Sequence, residues 1–412
     1  MNDMAEQHEK ALVPQIRFTG FTDPWEQRKL GELTESYSGG TPAAGESEFY
    51  GGSIPFIRSA EIAAESTELF LTEKGYESSS ARMVKPGDVL YALYGATSGE
   101  VAVSRQKGAI NQAILAILPR DDCDARYITA WLRKQKGYIV TTYLQGGQGN
   151  LSGVIVKNLE VFIPSLPEQQ KIGFMLSHLD SLITLHQRKY DKLCVLKKSM
   201  LDKMFPKGGS LYPEIRFAGF TDPWEQRKLG EVARRVTRKN ENGDSDLPLT
   251  ISAQYGLVDQ RTFFNSQVAS KDMSGYFLLH RGEFAYNKST STDSPWGAIK
   301  RLEKYDMGCV STLYICFELL SGDPDFLVTY YETDRWYKSV QLIAAEGARN
   351  HGLLNIAPDD FFETQICIPK RIDEQRRIGA FFDRLDSLIT LHQRKLELLR
   401  NIKKSMLDKM FV

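Results

Sequence analysis

The sequence predicts an α+β protein in which two pseudo-symmetric globular domains of mixed α/β structure are separated by a pair of long helices, packed as an antiparallel coiled coil. Three observations support this prediction. The 412-residue chain repeats itself after about 200 positions. Each copy ends in a helix-length segment with a heptad pattern, and short strand-like and helix-like runs precede that segment. A repeat of this length exceeds those of solenoids and propellers and indicates duplication of a whole domain.

The repeat consists of nearly identical frames around divergent interiors. Pro14–Glu32 reads PQIRFTGFTDPWEQRKLGE, and Pro213–Glu231, 199 positions later, reads PEIRFAGFTDPWEQRKLGE. Asp180–Lys189 (DSLITLHQRK) and Lys197–Phe205 (KKSMLDKMF) both recur unchanged 206 positions later. Identical frames around different interiors favour two binding domains with different targets on one scaffold. Neutral drift after duplication is the alternative.

The frames also give the predicted domain boundaries. These are an N-terminal arm (1–13), a first globular domain (14–166), a first long helix (167–206), a linker (207–212), a second globular domain (213–371) and a second long helix (372–412). Inside the globes, Asp88–Tyr94 and Val310–Leu319 are predicted strands, and Ala125–Lys134 and Pro324–Tyr337 are predicted helices. Trp25 and Trp224 belong to the shared frames, so we expect them to anchor the two cores rather than to stack on bases.

The two long helices carry the same heptad seam in the same register. Its predicted positions are Ile172, Leu176, Leu179, Ile183 and His186 in the first helix and Ile378, Phe382, Leu385, Ile389 and His392 in the second. A polar residue at a core position commonly sets helix register and partner. We favour this role for the two histidines over a metal or pH-sensing site. The pairs Lys197-Lys198 and Lys403-Lys404 are interpreted as a solvated helix face rather than as a phosphate clamp.

Composition bounds the class of protein. Hydrophobic residues make up 42% and charged residues 25% of the chain, as in ordinary globular proteins. The N-terminus is polar and lacks the features of a secretory signal. The five cysteines are scattered and form no C-x-x-C pair, so we expect reduced thiols in a cytoplasmic protein without a metal site. The 52 basic and 52 acidic residues cancel, so nucleic-acid binding would depend on local patches or on a partner.

The sequence lacks the common catalytic motifs. It contains no P-loop, no Gly-Lys dipeptide, no G-x-G-x-x-G loop, no H-E-x-x-H pair and no Asn-Pro-Pro-aromatic tetrapeptide of the kind found in amino-methyltransferases. We therefore interpret the chain as a non-catalytic binding protein. An active site of unusual type remains the alternative.

This organisation resembles the specificity subunit of Type I restriction-modification systems. The resemblance spans nearly the whole chain and rests on the paired WEQRKLGE frames at Trp25 and Trp224 and on the two helix openings. These openings are Pro167–Gly173 (PEQQKIG) and Ile372–Gly379 (IDEQRRIG). The second opening lacks the proline immediately before it, although Pro369 is nearby.

The resemblance implies a function and a set of partners. Each globe would be a target recognition domain that reads one half of a bipartite double-stranded DNA sequence, and the coiled coil would set the spacer between the halves. Two modification subunits would supply S-adenosylmethionine and adenine methylation, and two restriction subunits would add ATP- and magnesium-dependent translocation and cleavage. The chain itself would bind no cofactor and catalyse no reaction.

Base readers are expected in the divergent polar loops, because base identity is read by hydrogen bonds in the major groove. The predicted DNA-binding residues are Ser38, Thr41, Arg58, Thr97, Ser98, Gln148 and Asn150 in the first globe and Gln254, Tyr255, Asn287, Lys288, Arg349, Asn350 and His351 in the second. For each of them, a plain surface turn is the alternative. Rival functions are a tandem scaffold or adaptor that binds proteins and a self-sufficient DNA methyltransferase.

Overall fold

The computed structural model describes residues 13–144, 150–252, 255–264, 269–270, 272–292, 294–344 and 352–412. The chain folds as two compact units: unit 1 comprises residues 1–188 and 393–412, and unit 2 comprises residues 189–392. Each unit thus holds one globe, the start of one long helix and the end of the other. No helix among the described residues is both long and apolar enough to cross a membrane.

The described strands of unit 1 are β1 (Glu26–Lys29), β2 (Thr34–Ser38), β3 (Tyr50–Ile57), β4 (Phe70–Leu71), β5 (Arg82–Val84), β6 (Val89–Ala92), β7 (Val101–Val103), β8 (Gly108–Ile110), β9 (Ile114–Pro119) and β10 (Glu160–Ile163). The central sheet is antiparallel with the order β2-β9-β6-β7. A second sheet has the order β4-β3-β8-β5, and β1 pairs with β10. Strand β6 is apolar at each position because Val89 and Tyr91 face the core around Trp25, whereas Leu90 and Ala92 face a second apolar layer.

The helices of unit 1 are Leu30–Leu33, Glu73–Glu77, Ala125–Leu144, Gly153–Lys157 and the first long helix, Leu166–Lys203, with 3-10 turns at Ser47–Phe49, Ser59–Glu61 and Gly95–Thr97. The helix predicted to start at Ala125 is confirmed and continues to Leu144. The strand predicted over Asp88–Tyr94 is confirmed as β6. Asp124 fixes the helix start, because its carboxylate accepts from the backbone amides of Arg126 and Tyr127.

Unit 2 repeats this plan. Its described strands are β11 (Glu225–Lys228), β12 (Ala233–Arg235), β13 (Leu249–Ser252), β14 (Gly256–Asp259), β15 (Phe277–His280), β16 (Phe284–Asn287), β17 (Ala298–Arg301), β18 (Met307–Val310), β19 (Ile315–Leu319) and β20 (Gln365–Ile368). Its helices are Leu229–Val232, Gln260–Phe264, Pro324–Tyr330, Tyr337–Ile343, Pro358–Phe362 and the second long helix, Ile372–Lys409. The sheet order β12-β19-β16-β17 matches the central sheet of unit 1, and β11 pairs with β20 as β1 does with β10.

Two predicted elements of unit 2 are wrong in extent. Val310–Leu319 is not one strand, because a turn in which the amide of Tyr314 donates to the carbonyl of Ser311 separates β18 from β19. Pro324–Tyr337 is not one helix. Its first part ends at Tyr330, whose carbonyl accepts from both the amide and the hydroxyl of Thr333, so a tighter turn replaces the next helical hydrogen bond.

The frame tryptophans anchor the two cores, as predicted. Trp25 and Trp224 are each 1% exposed. In unit 1 the ring of Phe411 lies 6.4 Å from Trp25 in an edge-to-face arrangement, and in unit 2 Phe205 lies 5.8 Å from Trp224 in the same arrangement. Each of these phenylalanines follows the end of a long helix, at Lys203 and Lys409, and each core is therefore closed by its KKSMLDKMF segment.

The helix-opening motif attaches each globe to its helix. In unit 1 the buried carboxylate of Glu168 accepts two hydrogen bonds from Arg17, at 2.7 and 2.8 Å. In unit 2 Glu374 accepts two from Arg216, both at 2.7 Å, and one from the indole of Trp224. A buried carboxylate bound by a bidentate arginine is directional as well as strong. The Arg of the shared frame and the Glu of the helix opening therefore form one structural device, present twice.

The glutamine and glycine of the same motif complete the attachment. The side chain of Gln169 accepts from the amide of Asp124 and donates to the carbonyl of Pro164, and Gln375 makes the matching bonds to Asp323 and Pro369. A Cβ added at Gly173 would lie 2.8 Å from the backbone nitrogen of Tyr127. Residues other than the glutamine and glycine that the two copies share would therefore fit poorly at these positions.

The long helices pack antiparallel within each unit. In unit 1, Lys403 pairs with Asp180, and Arg400 donates to Gln187 at 2.9 Å. In unit 2, Lys197 pairs with Asp386 at 2.6 Å, which is the same contact shifted by the repeat. Of the predicted seam residues, Ile172, Leu176, Ile378, Phe382 and Leu385 are buried, and Leu179, Ile183, His186, Ile389 and His392 are half-buried.

The predicted solvated lysine face is wrong for one lysine of each pair. The side chains of Lys197 and Lys403 are 17% and 21% exposed and are held in ion pairs with acids of the facing helix. Lys198 and Lys404 are exposed as expected. The heptad position decides the difference, because Lys197 and Lys403 lie on the seam and their neighbours do not.

Candidate nucleic-acid interface

One end of the central sheet brings together most of the described candidates in unit 1. Strands β2 and β6 finish at this end, and β9 and β7 begin there, since Ser38 pairs with Leu115 and Ala92 pairs with Ile114. The loops that follow β2 and β6 therefore emerge side by side. We call this end of each central sheet the strand-end face.

The candidates on this face differ in how free their side chains are. Thr41 is exposed, and its hydroxyl donates to the side chain of Gln112. Thr97 and Ser38 are half-buried. Ser98 is buried, and its hydroxyl donates to the carbonyls of Leu93 and Gly95. Ser98 thus stabilises the turn, whereas Thr41 presents a polar group to solvent.

Asn150 joins the same face from a distant part of the chain. Its backbone forms a bridge with Tyr94, and the amide of Leu151 donates to the carbonyl of Leu93. Asn150 is exposed. The Gly-rich segment 145–149 precedes it, and Gln148 therefore lies outside the described residues.

Arg58 lies close to this face, but its guanidinium is already engaged. It follows β3, whose last residue Ile57 pairs with Ile110, and the carbonyl of Ile110 accepts from the amide of Gly40. Its side chain donates to both carboxylate oxygens of Glu61, at 3.1 and 2.6 Å. These hydrogen bonds raise the pKa of Arg58 and lower the pKa of Glu61. Glu61 thus engages the Nε and Nη2 donors of Arg58.

The strand-end face of unit 2 is assembled in the same way. Asn287 is the last residue of β16, and Lys288 follows it. The amide of Leu354 donates to the carbonyl of Lys288, and Ser289 forms a bridge with Leu353. Both candidate side chains are half-buried, and burial lowers the pKa of Lys288, whose ammonium donates to the carbonyl of Ile356 at 3.3 Å.

Of the remaining candidates of unit 2, Tyr255 alone lies among the residues that the structure describes. Tyr255 is 52% exposed, and the ammonium of Lys304 lies 5.7 Å from its ring. Tyr255 lies in the turn between β13 and β14 rather than in the loop after β16. Gln254, Arg349, Asn350 and His351 lie outside the described residues.

A basic run after the shared frame of unit 2 was not among the residues singled out from the sequence. Arg234, Arg235, Arg238 and Lys239 lie on β12 and just after it. Arg238 donates to both oxygens of Glu283, and the ammonium of Lys239 lies 3.8 Å from the ring of Phe277. The signal was available, because ARRVTRK in unit 2 replaces TESYSGG in unit 1 one residue after the shared frame.

Comparisons with known proteins show that this chain is similar to proteins that specify DNA targets. A family model described as the Type I restriction modification DNA specificity domain matches residues 22–194. The Type I restriction enzyme MjaIX specificity subunit of Methanocaldococcus jannaschii is 27% identical over 52% of this chain and 53% of its own length. The EcoR124I/EcoR124II specificity subunit of Escherichia coli is 26% identical over 40% of this chain and 46% of its own. The chain thus matches about half the length of these curated relatives.

A solved structure shares the whole fold. The crystal structure of the Type I restriction-modification S subunit from M. genitalium aligns with a TM-score of 0.58 at 15% identity, covering 97% of this chain and 99% of that one. At this identity the likeness establishes the fold. Residues 22–194 thus match the Type I restriction modification DNA specificity domain, and the whole chain shares the fold of that S subunit.

Proposed function

We propose that this chain is the sequence-specific DNA-recognition subunit of a Type I restriction-modification complex, in which each globe reads one half of a bipartite target. One observation carries the proposal. The two units share the attachment of globe to helix, contact by contact, yet they present different polar side chains on the same strand-end face. The divergent interiors thus include the place where base edges would be read.

The chemistry of the two faces suits base recognition. Thr41 and Asn150 in unit 1 offer a hydroxyl and a carboxamide that are exposed, and an Asn side chain can bind adenine bidentately in the major groove. Unit 2 has Asn287 and Lys288 at its strand-end face, and a lysine side chain can bind the O6 and N7 acceptors of guanine. The two half-sites should therefore differ in base composition.

The long helices are the proposed ruler and the docking site for partners. Each helix has 38 residues and is therefore about 57 Å long at 1.5 Å per residue. A ruler works only if its tips are rigidly attached, and the buried Glu168–Arg17 and Glu374–Arg216 pairs supply that attachment. We infer that two modification subunits dock on this scaffold and bring S-adenosylmethionine, and that two restriction subunits bring ATP and magnesium. The chain itself then acts without catalysis, in the cytoplasm.

The test is selection from random-sequence duplex DNA by the chain assembled with its modification subunit. We expect enrichment of a bipartite consensus with a fixed gap. Asn150→Ala should relax one half-site and leave the other unchanged. The matched control is Asn158→Ala, because Asn158 is also exposed but follows helix Gly153–Lys157, which packs against Leu30–Leu33 at the opposite end of the sheet.

Three outcomes would contradict the proposal. Absence of any enriched sequence would favour a scaffold that binds proteins. Enrichment of a single undivided site would contradict the two-reader arrangement. Binding of S-adenosylmethionine by the purified chain alone would favour a self-sufficient methyltransferase.

A further inference from the structure

Unit 1 contains a cavity that the DNA-reading role does not use. Its volume is about 160 Å³, and it lies between β7, helix Ala125–Leu144, the start of the first long helix and the end of the second. Its charged lining residues are Arg105, Arg126, Arg133, Lys403 and Asp180. Four cations against one carboxylate leave the lining with a net charge of +3.

The cations are only partly neutralised. Asp180 is shared between Arg133, at 2.5 Å, and Lys403. Arg105 is held by Glu65 at 3.1 Å, at a position where both side chains are largely exposed. Arg126 forms no ion pair with any described residue, and its guanidinium lies 6.0 Å from the exposed ring of Phe174. Unpaired donors therefore remain at a partly enclosed site.

The same place in unit 2 can be located from two sets of contacts. Gly173 packs against Arg126 and Tyr127, and Gly379 packs against Asp325 and Phe326. Arg126 thus corresponds to Asp325, and seven residues further on Arg133 corresponds to Glu332. Strand register gives the second set. Ala102 and Val103 pair with the second and first residues of β6, and Lys300 and Arg301 pair with the second and first residues of β16.

Unit 2 has longer side chains and paired charges at this place. Where unit 1 has Ala102 and Val103, unit 2 has two long basic side chains, and where unit 1 has two arginines it has two acids. Lys197 pairs with Glu332 and Asp386, at 2.7 and 2.6 Å. Lys300 lies 3.8 Å from Glu332, and Arg301 pairs with Asp325 at 2.7 Å. Arg301 also pairs with Glu303 at 2.7 Å. Three cations thus face four carboxylates, and no positive charge is in excess.

We propose that the cavity of unit 1 is a binding site for a phosphate group. Arginine forks match the geometry of phosphate oxygens, and a partly enclosed site of one sign of charge concentrates the opposite sign. A cavity of about 150 Å³ holds a ligand the size of benzene, so a phosphate group fits. The phosphate is carried either by the DNA backbone or by a small free ion. The site does not depend on sequence reading by either globe.

The experiment titrates the full-length chain with inorganic phosphate and follows binding by calorimetry or by 31P resonance broadening. We expect saturable binding at one site. The double variant Arg105→Gln/Arg126→Gln should weaken it about tenfold or more, because each charge-assisted hydrogen bond is worth at least that factor. Both side chains are exposed, and neither joins the Asp180 pairs, so the variant should fold. The control Arg376→Gln removes one exposed charge from unit 2 and should bind as the parent does.

Two further arms complete the test. Duplex DNA of unrelated sequence should displace the phosphate if the DNA backbone is the source, and should leave it bound if the source is a free ion. Arg133→Glu, which gives unit 1 the charge that unit 2 carries at this position, should also abolish binding. Absence of saturable binding, or equal affinity in the parent and the double variant, would overturn the proposal.

Discussion

Replacing Gly173 by alanine should test how the long helix is attached to its globe. The glycine lies in the first long helix, where the start of helix Ala125–Leu144 approaches it. An added Cβ would lie 2.7 Å from the carboxylate of Asp124 and 2.8 Å from the backbone nitrogen of Tyr127. Those two groups form the hydrogen bond that fixes the start of that helix, so the collision strikes the backbone rather than a flexible side-chain end.

The expected magnitude follows from three contributions. Alanine in a helix interior gains about 1 kcal/mol over glycine. Overpacking costs about 1–3 kcal/mol, and a disturbed N-cap costs about 0.5–2 kcal/mol. The net loss for Gly173→Ala should therefore be about 0.5–4 kcal/mol. Gly137 is the matched control, since it lies inside a helix of the same unit with nothing within 4 Å of its added Cβ. Gly137→Ala should stabilise by about 0.5–1 kcal/mol.

The assay is urea unfolding combined with hydrogen exchange and mass spectrometry, which reports the two units separately. Gly173→Ala should lower the protection of peptides from unit 1 only. Gly379→Ala should do the same in unit 2, because its Cβ would lie 2.8 Å from the nitrogen of Phe326. If Gly173→Ala is as stable as Gly137→Ala, the close attachment of helix to globe described above is wrong.

Three other predictions concern the ion pairs of Asp180, the length of the long helices and the burial of the cysteines. Arg133→Glu should cost less stability than Asp180→Asn, because the lysine of the facing helix can hold the new glutamate as its counterpart does in unit 2; equal losses in urea unfolding would contradict this. Inserting one heptad at matching positions of both long helices adds about 10 Å, or up to about three base pairs at 3.4 Å each. DNA selection should then return unchanged half-sites with a longer gap, and an unchanged gap would show that the helices are not the ruler. Thiol labelling of the native chain at pH 8 should modify half-exposed Cys194 first. Burial raises the pKa of Cys316 to about 12, which leaves it about one part in ten thousand thiolate; rapid labelling of Cys316, read by peptide mass spectrometry, would contradict its burial.

Sequence reasoning predicted what depends on local periodicity and on repetition. The heptad steps from Ile172 and Ile378 located both long helices, and the identical frames identified Trp25 and Trp224 as core residues. Both signals are local in sequence or exactly duplicated, so tertiary contacts did little to change the predicted structure.

Features that depend on distant partners escaped it. Lys197 was assigned to a solvated face because its partner Asp386 lies 189 positions away. Arg58 was chosen as a free base reader, and its engagement by Glu61 follows from the turn between them. The loops near residues 97, 150 and 288 were chosen for composition alone, and their gathering at one end of each sheet required the strand order. Which of their side chains touch bases remains a prediction.

The closure of unit 1 by Phe411 bears on how the protein comes to be folded. Residues 393–412 complete the core around Trp25, yet the ribosome makes them only after the whole of the second globe. Until then, the first globe lacks part of its apolar interior, and contacts so distant in sequence form slowly. The earlier segment ending in Phe205 has the same sequence as the missing one and is already present. A nascent chain therefore already carries a second copy of the segment that completes its first core. Packing of the wrong copy against that core is a route to misassembly, which correct folding has to reverse.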